Sequence, residues 1–434
     1  MARQLFGTDG VRGEAGVKLT AELALALGRA AAQQAGGEGL RALIIRDTRE
    51  SGEMLEAALA AGIAAAGADV LLGGILPTPA APLLVGQYGL DLGVVVSASH
   101  NPYRDNGIKF FGADGLKLSD STEEKIEELL ATGPQAPGSP GRIREMRGTA
   151  EDYLRRLEER FADLDLSGLN VLLDCANGAS FRVAPEIFGR LGARVEALGT
   201  EPDGRNINDG VGSTHVEELA GRVASGGFDL GFAFDGDADR VLAVDRAGTV
   251  VDGDELIAIA ALHLRDQGRL AGGVAVTVMT NYGFHTAMRE AGVEVAVTDV
   301  GDRYVLEELL GRGWTLGGEQ SGHIIDTGFV PSGDGIASAL LTLEALGGGD
   351  LAQRSAMTRL PQRLVNVQVA DKGAALDGVA DAIAREGQGL EGRGRVLVRA
   401  SGTEELVRVM VEAPDEGECD AVCERLVAAV EAVS

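Results

Sequence analysis

A strand–helix–strand unit recurs three times in the sequence and narrows the folds open to the chain. Each copy is an apolar run ending at a polar corner, a helical stretch and a second apolar run; the copies occupy residues 41–72, 169–198 and 273–298. Glycine, the common helix stop, follows each helical stretch. Uninterrupted apolar strands that alternate with helices indicate parallel sheets covered on both faces. The repeat predicts three similar α/β/α domains with mainly parallel mixed sheets.

The last part of the chain follows a different pattern. From Leu364 onward the apolar runs predict strand, helix, strand, strand and helix, which describes a smaller C-terminal α+β domain. At roughly 100–200 residues per domain, four domains fit a chain of 434 residues. We expect them at residues 1–150, 151–253, 254–361 and 362–434.

Each repeat continues into a further strand that ends in a polar, glycine-bearing loop. The three loops read SASHNPYRDNGIKFF at 97–111, DGDADR at 235–240 and GGEQSGH at 317–323, and the last domain has its own loop, RASGTEELVR, at 399–408. Open α/β sheets bind ligands outside the carboxyl ends of their strands. The four loops are therefore the predicted functional sites.

The loop at 235–240 has the composition of a metal site. Asp235, Asp237 and Asp239 repel one another unless a cation joins them, and hard oxygen ligands suit Mg²⁺ or Ca²⁺. We favour Mg²⁺, which keeps open positions for phosphate oxygens. An EF-hand does not fit, because Arg240 and Arg246 stand where such a loop needs glycine and glutamate. A solvated acidic turn is the remaining alternative.

The loop at 97–111 contains a candidate nucleophile. The hydroxyl of Ser99 needs activation to react, and His100 and Lys109 are polar partners nearby. A Ser-His-Asp hydrolase is a poor match because the G-x-S-x-G elbow is missing. The alternative is an Asn-Pro turn whose serines bond to the backbone. The functional interpretation is favoured because an equivalent repeat strand leads into the acidic loop.

The remaining segments suggest sugar and phosphate binding. Glu319 and Ser321 suit sugar hydroxyls, and His323 could transfer a proton. The fourth loop can cradle a phosphate with Arg399, Ser401, Gly402, Thr403 and Arg408. Near the N-terminus, the glycines of FGTDGVRG let Arg12 enter a cleft. Taken alone, the third and fourth loops are equally compatible with hydrogen-bonded surface turns.

Charge and cysteine content exclude several classes of function. Lysine and arginine number 39 against 66 aspartates and glutamates, which gives a formal net charge of −27. This argues against nucleic-acid and anionic-membrane partners, and it requires any anionic substrate to meet positive groups concentrated at its site. Three cysteines do not form a disulfide framework, and the first residues lack an apolar signal region. We expect a cytoplasmic protein.

Five motifs in register point to one family. FGTDGVRG, SASHNPYRDNGIKFF, DGDADR, GEQSGH and RASGTEELVR follow in this order, and together they resemble the α-D-phosphohexomutase family along the whole chain. The resemblance implies a heart-shaped set of four domains around a central cleft. It also implies phosphoryl transfer through a phosphoserine enzyme and a bisphosphorylated sugar intermediate.

The resemblance gives each loop a role. Ser99 would be the phosphoserine and would complete a Mg²⁺ site with Asp235, Asp237 and Asp239. The groups assisting at the reacting phosphate would be Arg12, His100, Lys109 and His323, the last two as proton-transfer groups. The substrate-binding side chains would be Arg240, Glu319, Ser321 and His323. The fourth loop would hold the phosphate that does not react, although Ala400 and Glu405 replace the prolines usual in the family.

The identity of the hexose stays open at this point. FGTDGVRG and the Gln320 form of the third loop look like the branch that interconverts glucosamine 6-phosphate and glucosamine 1-phosphate for UDP-N-acetylglucosamine and cell-wall synthesis. Mutases of mannose or glucose phosphates are the alternative within the family. A metal-dependent sugar phosphatase and a non-catalytic sugar-phosphate-binding protein are the alternatives outside it. The implied cofactors are Mg²⁺ and an activating hexose 1,6-bisphosphate of glucosamine or glucose. The implied partner is a hexosamine phosphate, and a homodimer is compatible with the resemblance.

Overall fold

Four sheets contain the strands of the described residues, which are 5–7, 9–132, 139–401 and 405–433 of this computed structural model. The chain divides into two compact units. One consists of Met1–Val278 and Ala296–Arg354, and the other of Met279–Val295 and Ser355–Ser434. Each unit is described by itself below.

The first sheet has six strands in the order β1-β5-β4-β2-β3-β6. They are β1 (Val11–Glu14), β2 (Arg41–Arg46), β3 (Asp69–Ile75), β4 (Leu92–Val96), β5 (Asp105–Gly112) and β6 (Ile143–Glu145). The helices of this region are α1 (Ala21–Ala35), α2 (Gly52–Ala65), α3 (Ala80–Tyr88) and α4 (Asp120–Thr132). The strands β4, β2, β3 and β6 pair in parallel, whereas β5 is antiparallel to both neighbours. The parallel strands bring their carboxyl ends to one edge of the sheet.

Two glycines explain how closely α1 and α2 cross. A Cβ atom on Gly62 would lie 2.0 Å from the carbonyl oxygen of Leu25, and one on Gly28 would lie 2.6 Å from that of Leu59. Glycine weakens a helix interior relative to alanine, so its presence at both positions reflects the close approach of the two backbones.

The second sheet has the order β11-β10-β9-β7-β8. Its strands are β7 (Asn170–Asp174), β8 (Arg194–Leu198), β9 (Leu230–Phe234), β10 (Val241–Asp245) and β11 (Val250–Val251), and its helices are α5 (Thr149–Arg160), α6 (Val183–Arg190) and α7 (Glu217–Gly226). The strand β7 pairs in parallel with β8 and β9, and the remaining pairs are antiparallel. All five residues of β9 are buried, as expected for a strand covered on both faces.

The third sheet has four strands in the order β13-β12-β14-β15. They are β12 (Val274–Thr277), β13 (Val295–Thr298), β14 (Leu316–Gly318) and β15 (Ile324–Asp326). The helices of the first unit in this stretch are α8 (Gly253–Asp266), α10 (Asp302–Arg312) and α11 (Gly335–Leu346), with a short 3₁₀ helix at Leu351–Gln353. The strand before the third loop begins at Leu316 and extends into the first two residues of that loop's GGEQSGH motif.

The second unit contains an antiparallel sheet with the order β16-β18-β17. Its strands are β16 (Gln362–Gln368), β17 (Arg395–Ala400) and β18 (Leu406–Glu412), and its helices are α9 (Tyr282–Glu290), α12 (Lys372–Gly389) and α13 (Glu416–Ala432). Cys419 and Cys423 lie on α13 within the apolar core of this unit. They and Cys175 are free, buried thiols.

The observed elements confirm the predicted fold class, with three mixed α/β sheets and a smaller C-terminal α+β region. The glycines after the three repeat helices, Gly67, Gly192 and Gly292, all have positive φ, as a helix stop requires. The four domain boundaries stay a prediction. Among the described residues, no helix combines the length and apolar character needed to cross a membrane.

A buried carboxyl group at the start of α11 makes stability depend on pH. Asp334 caps the helix by accepting a hydrogen bond from the Ala337 amide at 2.9 Å, and the hydroxyl of the buried Tyr153 donates to it at 2.9 Å. Burial raises the pKa of Asp334 from 3.8 to about 6. A carboxyl group whose pKa is higher in the folded than in the unfolded protein destabilises the folded state once the pH rises above the unfolded-state pKa. For Asp334 this loss of stability amounts to about 3 kcal/mol when the pH exceeds the folded-state pKa.

We therefore expect Asp334→Asn to change the pH dependence of unfolding. Asparagine can still cap the helix but does not ionise, so the variant's melting temperature should rise relative to the parent protein between pH 4 and pH 7 and stay level above that. Thermal unfolding followed by circular dichroism measures the difference. Asp415→Asn, at the exposed N-cap of α13, controls for the loss of a capping charge. A constant difference across this pH range would contradict the prediction.

Candidate active site

The structure brings the predicted nucleophile loop and the acidic loop together. Ser99 follows β4, Asp235 follows β9, and the hydroxyl of Ser99 donates a hydrogen bond to Oδ2 of Asp235 at 2.5 Å. Oγ of Ser99 also lies 3.2 Å from Nδ1 of His100. Both loops are buried at this contact. Strand ends from two different sheets thus place a serine against the carboxylate cluster.

The three aspartates form a buried group that fits a divalent cation. Asp235, Asp237 and Asp239 each offer a carboxylate oxygen, and these oxygens lie within 4.8 Å of one another. Oδ1 of Asp237 is buried without a hydrogen-bond partner, as expected of an atom that serves a metal. Burial, together with Asp239 and Asp237, raises the pKa of Asp235 well above its usual range. A divalent cation would relieve this repulsion.

Lys109 supplies the counter-charge for the cluster. Its Nζ lies 2.9 Å from Oδ2 of Asp237, 3.2 Å from Oδ2 of Asp239 and 3.0 Å from Oδ2 of Asp9, and its side chain is buried. Burial alone would lower the pKa of Lys109, but Asp237, Asp9 and Asp239 raise it well above its usual range. The ammonium group therefore stays charged and can donate hydrogen bonds to an anion.

A second ion-pair group continues from Lys109 toward α10, and no pattern in the sequence indicated it. Asp9 pairs with Arg12 and Lys117, and Lys117 lies 2.5 Å from Oδ2 of Asp302. Burial works to raise the pKa of Asp9, but Lys109, Lys117 and Arg12 hold it well below its usual range. Arg12 is thus joined to Lys109 through Asp9, a carboxylate that was not singled out from the sequence.

The two histidines of the site differ in environment. Burial, with Arg240 and Arg12, lowers the pKa of His100 to about 4, so its ring is neutral at physiological pH. The pKa of His323 is lowered by burial but raised overall by Asp239 and Asp302. The Gly333 amide donates to Nε2 of His323 at 3.1 Å, which favours a proton on Nδ1, the nitrogen 3.5 Å from Asp239.

A polar cavity of about 420 Å³ adjoins the carboxylate cluster. Its lining includes Arg12, Lys18, Asp239, Arg240, Asp302, Glu319 and His323. Oε1 of Glu319 accepts a hydrogen bond from the Gly301 amide at 3.1 Å, which fixes the carboxylate at the cavity wall. Ser321 is exposed on the same loop. Charges of both signs around one cavity suit a hydroxylated, anionic ligand.

The fourth loop lies in the second unit. Arg399 and Arg408 are directly opposite each other on β17 and β18. Two guanidinium groups at facing positions concentrate positive charge at this loop. Lys372 adds a further positive charge at this loop. Its Nζ donates a hydrogen bond to the carbonyl oxygen of Ser401 at 3.2 Å. Gly402 and Thr403 lie outside the described residues.

The carboxylate of Glu405 faces solvent and Lys372. Its side chain is 71% exposed and pairs with Lys372 at 3.4 Å. A negative charge at this position would weaken anion binding most if it pointed inward, and this exposed side chain does not. The sequence did not single out Lys372, although its place at the first turn of a helix beside the loop is a weak signal for an anion site.

Four sequence families that describe successive domains match the chain. They are phosphoglucomutase/phosphomannomutase alpha/beta/alpha domain I at residues 3–136, domain II at 151–248, domain III at 252–363 and the C-terminal domain at 364–429. The chain therefore belongs to the phosphoglucomutase/phosphomannomutase family, which confirms the resemblance seen in the motifs.

Individual relatives and solved structures are similar to this chain over nearly its whole length. A phosphoglucosamine mutase of Desulforudis audaxviator is 54% identical over 98% of this chain and 97% of its own length. One of Moorella thermoacetica is 53% identical over 96% and 97%. Among solved structures, a phosphoglucomutase/phosphomannomutase family protein of Burkholderia thailandensis has a TM-score of 0.84 at 23% identity, over 99% of this chain and 97% of that one. An Aspergillus fumigatus N-acetylphosphoglucosamine mutase in complex with GlcNAc-6P and magnesium has a TM-score of 0.67 at 18% identity, over 99% and 96%.

The aspartate cluster predicts that the protein binds a divalent cation in the absence of substrate. Asp237→Asn should weaken this binding by at least tenfold, because an amide oxygen coordinates a hard cation less strongly than a carboxylate. Calorimetric titration with MgCl₂ measures the affinity, and the rise in melting temperature on adding the metal measures it independently. Asp209→Asn, at an exposed residue of the same region, is the control. Equal affinity in Asp237→Asn and the parent protein would exclude Asp237 as a ligand.

Proposed function

We propose that this chain is a phosphoglucosamine mutase, an intramolecular phosphotransferase that interconverts glucosamine 6-phosphate and glucosamine 1-phosphate. The observation that carries the proposal is the buried contact between Ser99 and Asp235, beside two more aspartates and Lys109. This is the arrangement expected of a serine that carries a phosphoryl group next to a metal site. The relatives that are 50–54% identical over nearly their full length bear the same name.

The reaction has two phosphoryl transfers that balance each other. Phosphorylated Ser99 gives its phosphoryl group to the C1 hydroxyl of glucosamine 6-phosphate; that hydroxyl loses its proton, Oγ of Ser99 gains one, and the product is a 1,6-bisphosphate. After the intermediate turns around, its C6 phosphoryl group returns to Ser99, whose hydroxyl loses its proton while O6 gains one. The enzyme ends phosphorylated as it began. A hexose 1,6-bisphosphate, of glucosamine or glucose, would restore a serine that had lost its phosphoryl group.

The side chains at Ser99 suit this chemistry. Phosphoryl transfer needs positioning and neutralisation of charge more than covalent assistance. Arg12 and Lys109 would face the reacting phosphate as fixed cations, and the raised pKa of Lys109 would keep its ammonium group protonated, so that it stabilises the phosphate by charge and hydrogen bonds. The neutral ring of His100, 3.2 Å from Oγ of Ser99, can exchange a proton with the hydroxyl, and His323 is the second candidate for proton transfer.

Mg²⁺ is the proposed metal, held by Asp235, Asp237, Asp239 and an oxygen on Ser99; when bound, it would neutralise charge on the transferring phosphoryl group. The unpartnered Oδ1 of Asp237 supports a metal at this place. Glu319 and Ser321 would bind the sugar hydroxyls, and Arg240 would bind substrate at the cavity wall.

The fourth loop would hold the phosphate that does not react. Arg399 and Arg408 stand opposite each other, and both guanidinium groups would donate hydrogen bonds to the phosphate. Ser401, Gly402 and Thr403 would add hydroxyl and amide donors, and Lys372 would contribute a further charge. A loop that accepts either phosphate of the bisphosphate would allow the intermediate to react at both ends.

A cytoplasmic location and a homodimer are further parts of this proposal. The three free thiols agree with a reducing compartment. Light scattering on the purified protein would give the oligomeric state.

The first prediction for this function concerns the hexose. With Mg²⁺ and a catalytic amount of glucose 1,6-bisphosphate, glucosamine 6-phosphate should be converted with a kcat/KM at least tenfold above that for glucose 1-phosphate or mannose 1-phosphate. Coupled assays for each product measure the three rates side by side. A faster reaction with a neutral hexose phosphate would refute the assignment to amino sugars and leave the mutase class intact.

The second prediction concerns Ser99. Ser99→Ala should lower kcat by at least 1,000-fold while the melting temperature changes little, because the carbon skeleton fits the same space without the reacting oxygen. Mass spectrometry should find one phosphoryl group on the parent protein and none on the variant. Released inorganic phosphate is assayed in parallel, because a sugar phosphatase would release it in proportion to substrate consumed. Full activity in the variant would rule out the phosphoserine mechanism.

A further inference from the structure

Arg49 lies beneath the loop that carries Ser99, and it was not among the predicted site residues. It follows β2 by three positions, and its side chain is fully buried. Oδ2 of Asp47 accepts from its Nε at 2.8 Å and balances its charge. This bond does not join Arg49 to the carboxylate cluster. The role of Arg49 therefore depends on its other hydrogen-bond partners.

Every N–H donor of the Arg49 guanidinium has an acceptor. A guanidinium has five N–H donors in a rigid plane, and one of them serves Asp47. The other four reach backbone carbonyl oxygens of a single loop: those of Ser99 at 2.8 Å, Asn101 at 2.9 Å, Pro102 at 2.5 Å and Asp105 at 3.0 Å. One buried side chain thus fixes the loop at four points.

A second side chain holds the same loop from another part of the fold. Nδ2 of Asn208 donates to the carbonyl oxygen of Ser99 at 2.9 Å and to that of Asn101 at 3.2 Å. Asn208 belongs to the segment between β8 and α7, next to the second sheet. The guanidinium group of Arg49 and the amide group of Asn208 therefore donate to the same two carbonyl oxygens, those of Ser99 and Asn101. Arg49 does so from beside the first sheet and Asn208 from beside the second.

The loop needs such support because Ser99 has an unfavourable backbone conformation. Its φ is 54°, in the left-handed region that residues other than glycine rarely adopt. The Ser99 amide donates to Oγ of Ser97, and the hydroxyl of Ser97 donates to Asp47, the partner of Arg49. The conformation that aims Oγ of Ser99 at Asp235 is thus secured on both sides of the residue.

We propose that Arg49 is a positioning residue for phosphoryl transfer, which holds Ser99 in one geometry through the four carbonyl oxygens of its loop. The inference rests on the proposed function, since it concerns the same serine. Arg49 contacts neither the substrate cavity nor the reacting oxygen. It acts through the backbone, so its loss should alter where Oγ lies and leave substrate binding and cation binding in place.

Arg49→Lys tests the proposal with the buried positive charge retained. Lysine has three donors on one tetrahedral nitrogen and cannot reach four carbonyl oxygens and Asp47 together. We expect kcat for the mutase reaction to fall about 100-fold, since a shift of about 1 Å in a reacting group has effects of this size. The KM for the sugar phosphate should stay within about twofold of the parent value, and Mg²⁺ should still raise the melting temperature.

Two further variants make the test specific. Asn208→Ala removes the second set of donors to the same carbonyl oxygens and should lower kcat in the same way with KM unchanged. Arg46→Lys alters an arginine three residues earlier, which pairs with Glu53 and Glu56 outside the loop, and should leave kcat unaltered. The rate at which glucose 1,6-bisphosphate phosphorylates Ser99, followed by mass spectrometry in a single turnover, should fall with kcat in Arg49→Lys.

The outcomes separate this inference from the proposed function. A parent protein that fails to convert glucosamine phosphates but still accepts a phosphoryl group on Ser99 would refute the function, and the phosphorylation rate of Arg49→Lys would still decide the role of Arg49. Parent-like kcat and phosphorylation rate in Arg49→Lys would overturn the inference. So would a loss of the Mg²⁺ effect on melting temperature, because it would show general damage to the fold.

Discussion

A buried ammonium group among carboxylates is the interaction on which the candidate site depends. Lys109 joins Asp9 from the N-terminal segment to Asp237 and Asp239 after β9. Removing one partner from such a group leaves uncompensated buried charge, at a cost of about 3–5 kcal/mol. The site is therefore assembled by charge pairing between segments, and the apolar cores of the sheets serve to bring those segments to the same place.

The sequence predicted the parts of the site that follow strands. The repeat placed Ser99 and the acidic loop at the carboxyl ends of buried strands, and both lie there in the structure. Sheet topology is a strong constraint on where such residues can be, so an apolar pattern together with unusual loop composition was enough. The same reasoning found the loop of Glu319 and His323, which line one cavity with Arg12.

The sequence could not predict which side chains meet across the sheets. Lys117 is 108 residues from Asp9 and 185 from Asp302, and no periodic pattern relates them. Arg49 and Asn208 reach the same carbonyl oxygens from positions 159 residues apart, and both act through a backbone that a sequence motif does not display. Arg49 follows a strand at the same edge of the sheet as Ser99, so the sequence indicated where it lies but not which groups it contacts.

A chain with a net charge of −27 needs a local source of positive charge if it is to bind an anionic substrate. Among the described residues around the carboxylate cluster, the cations include Arg12, Lys109, Lys117 and Arg240, and the carboxylates among which they lie include Asp9, Asp235, Asp237, Asp239 and Asp302. Because these carboxylates offset the basic side chains, the fixed groups give the cluster no large positive excess for an anion. A divalent cation at the aspartates would add positive charge there. Binding of a sugar phosphate would then depend on the metal rather than on the basic side chains alone, while the acidic remainder of the chain would repel anions from other parts of the surface.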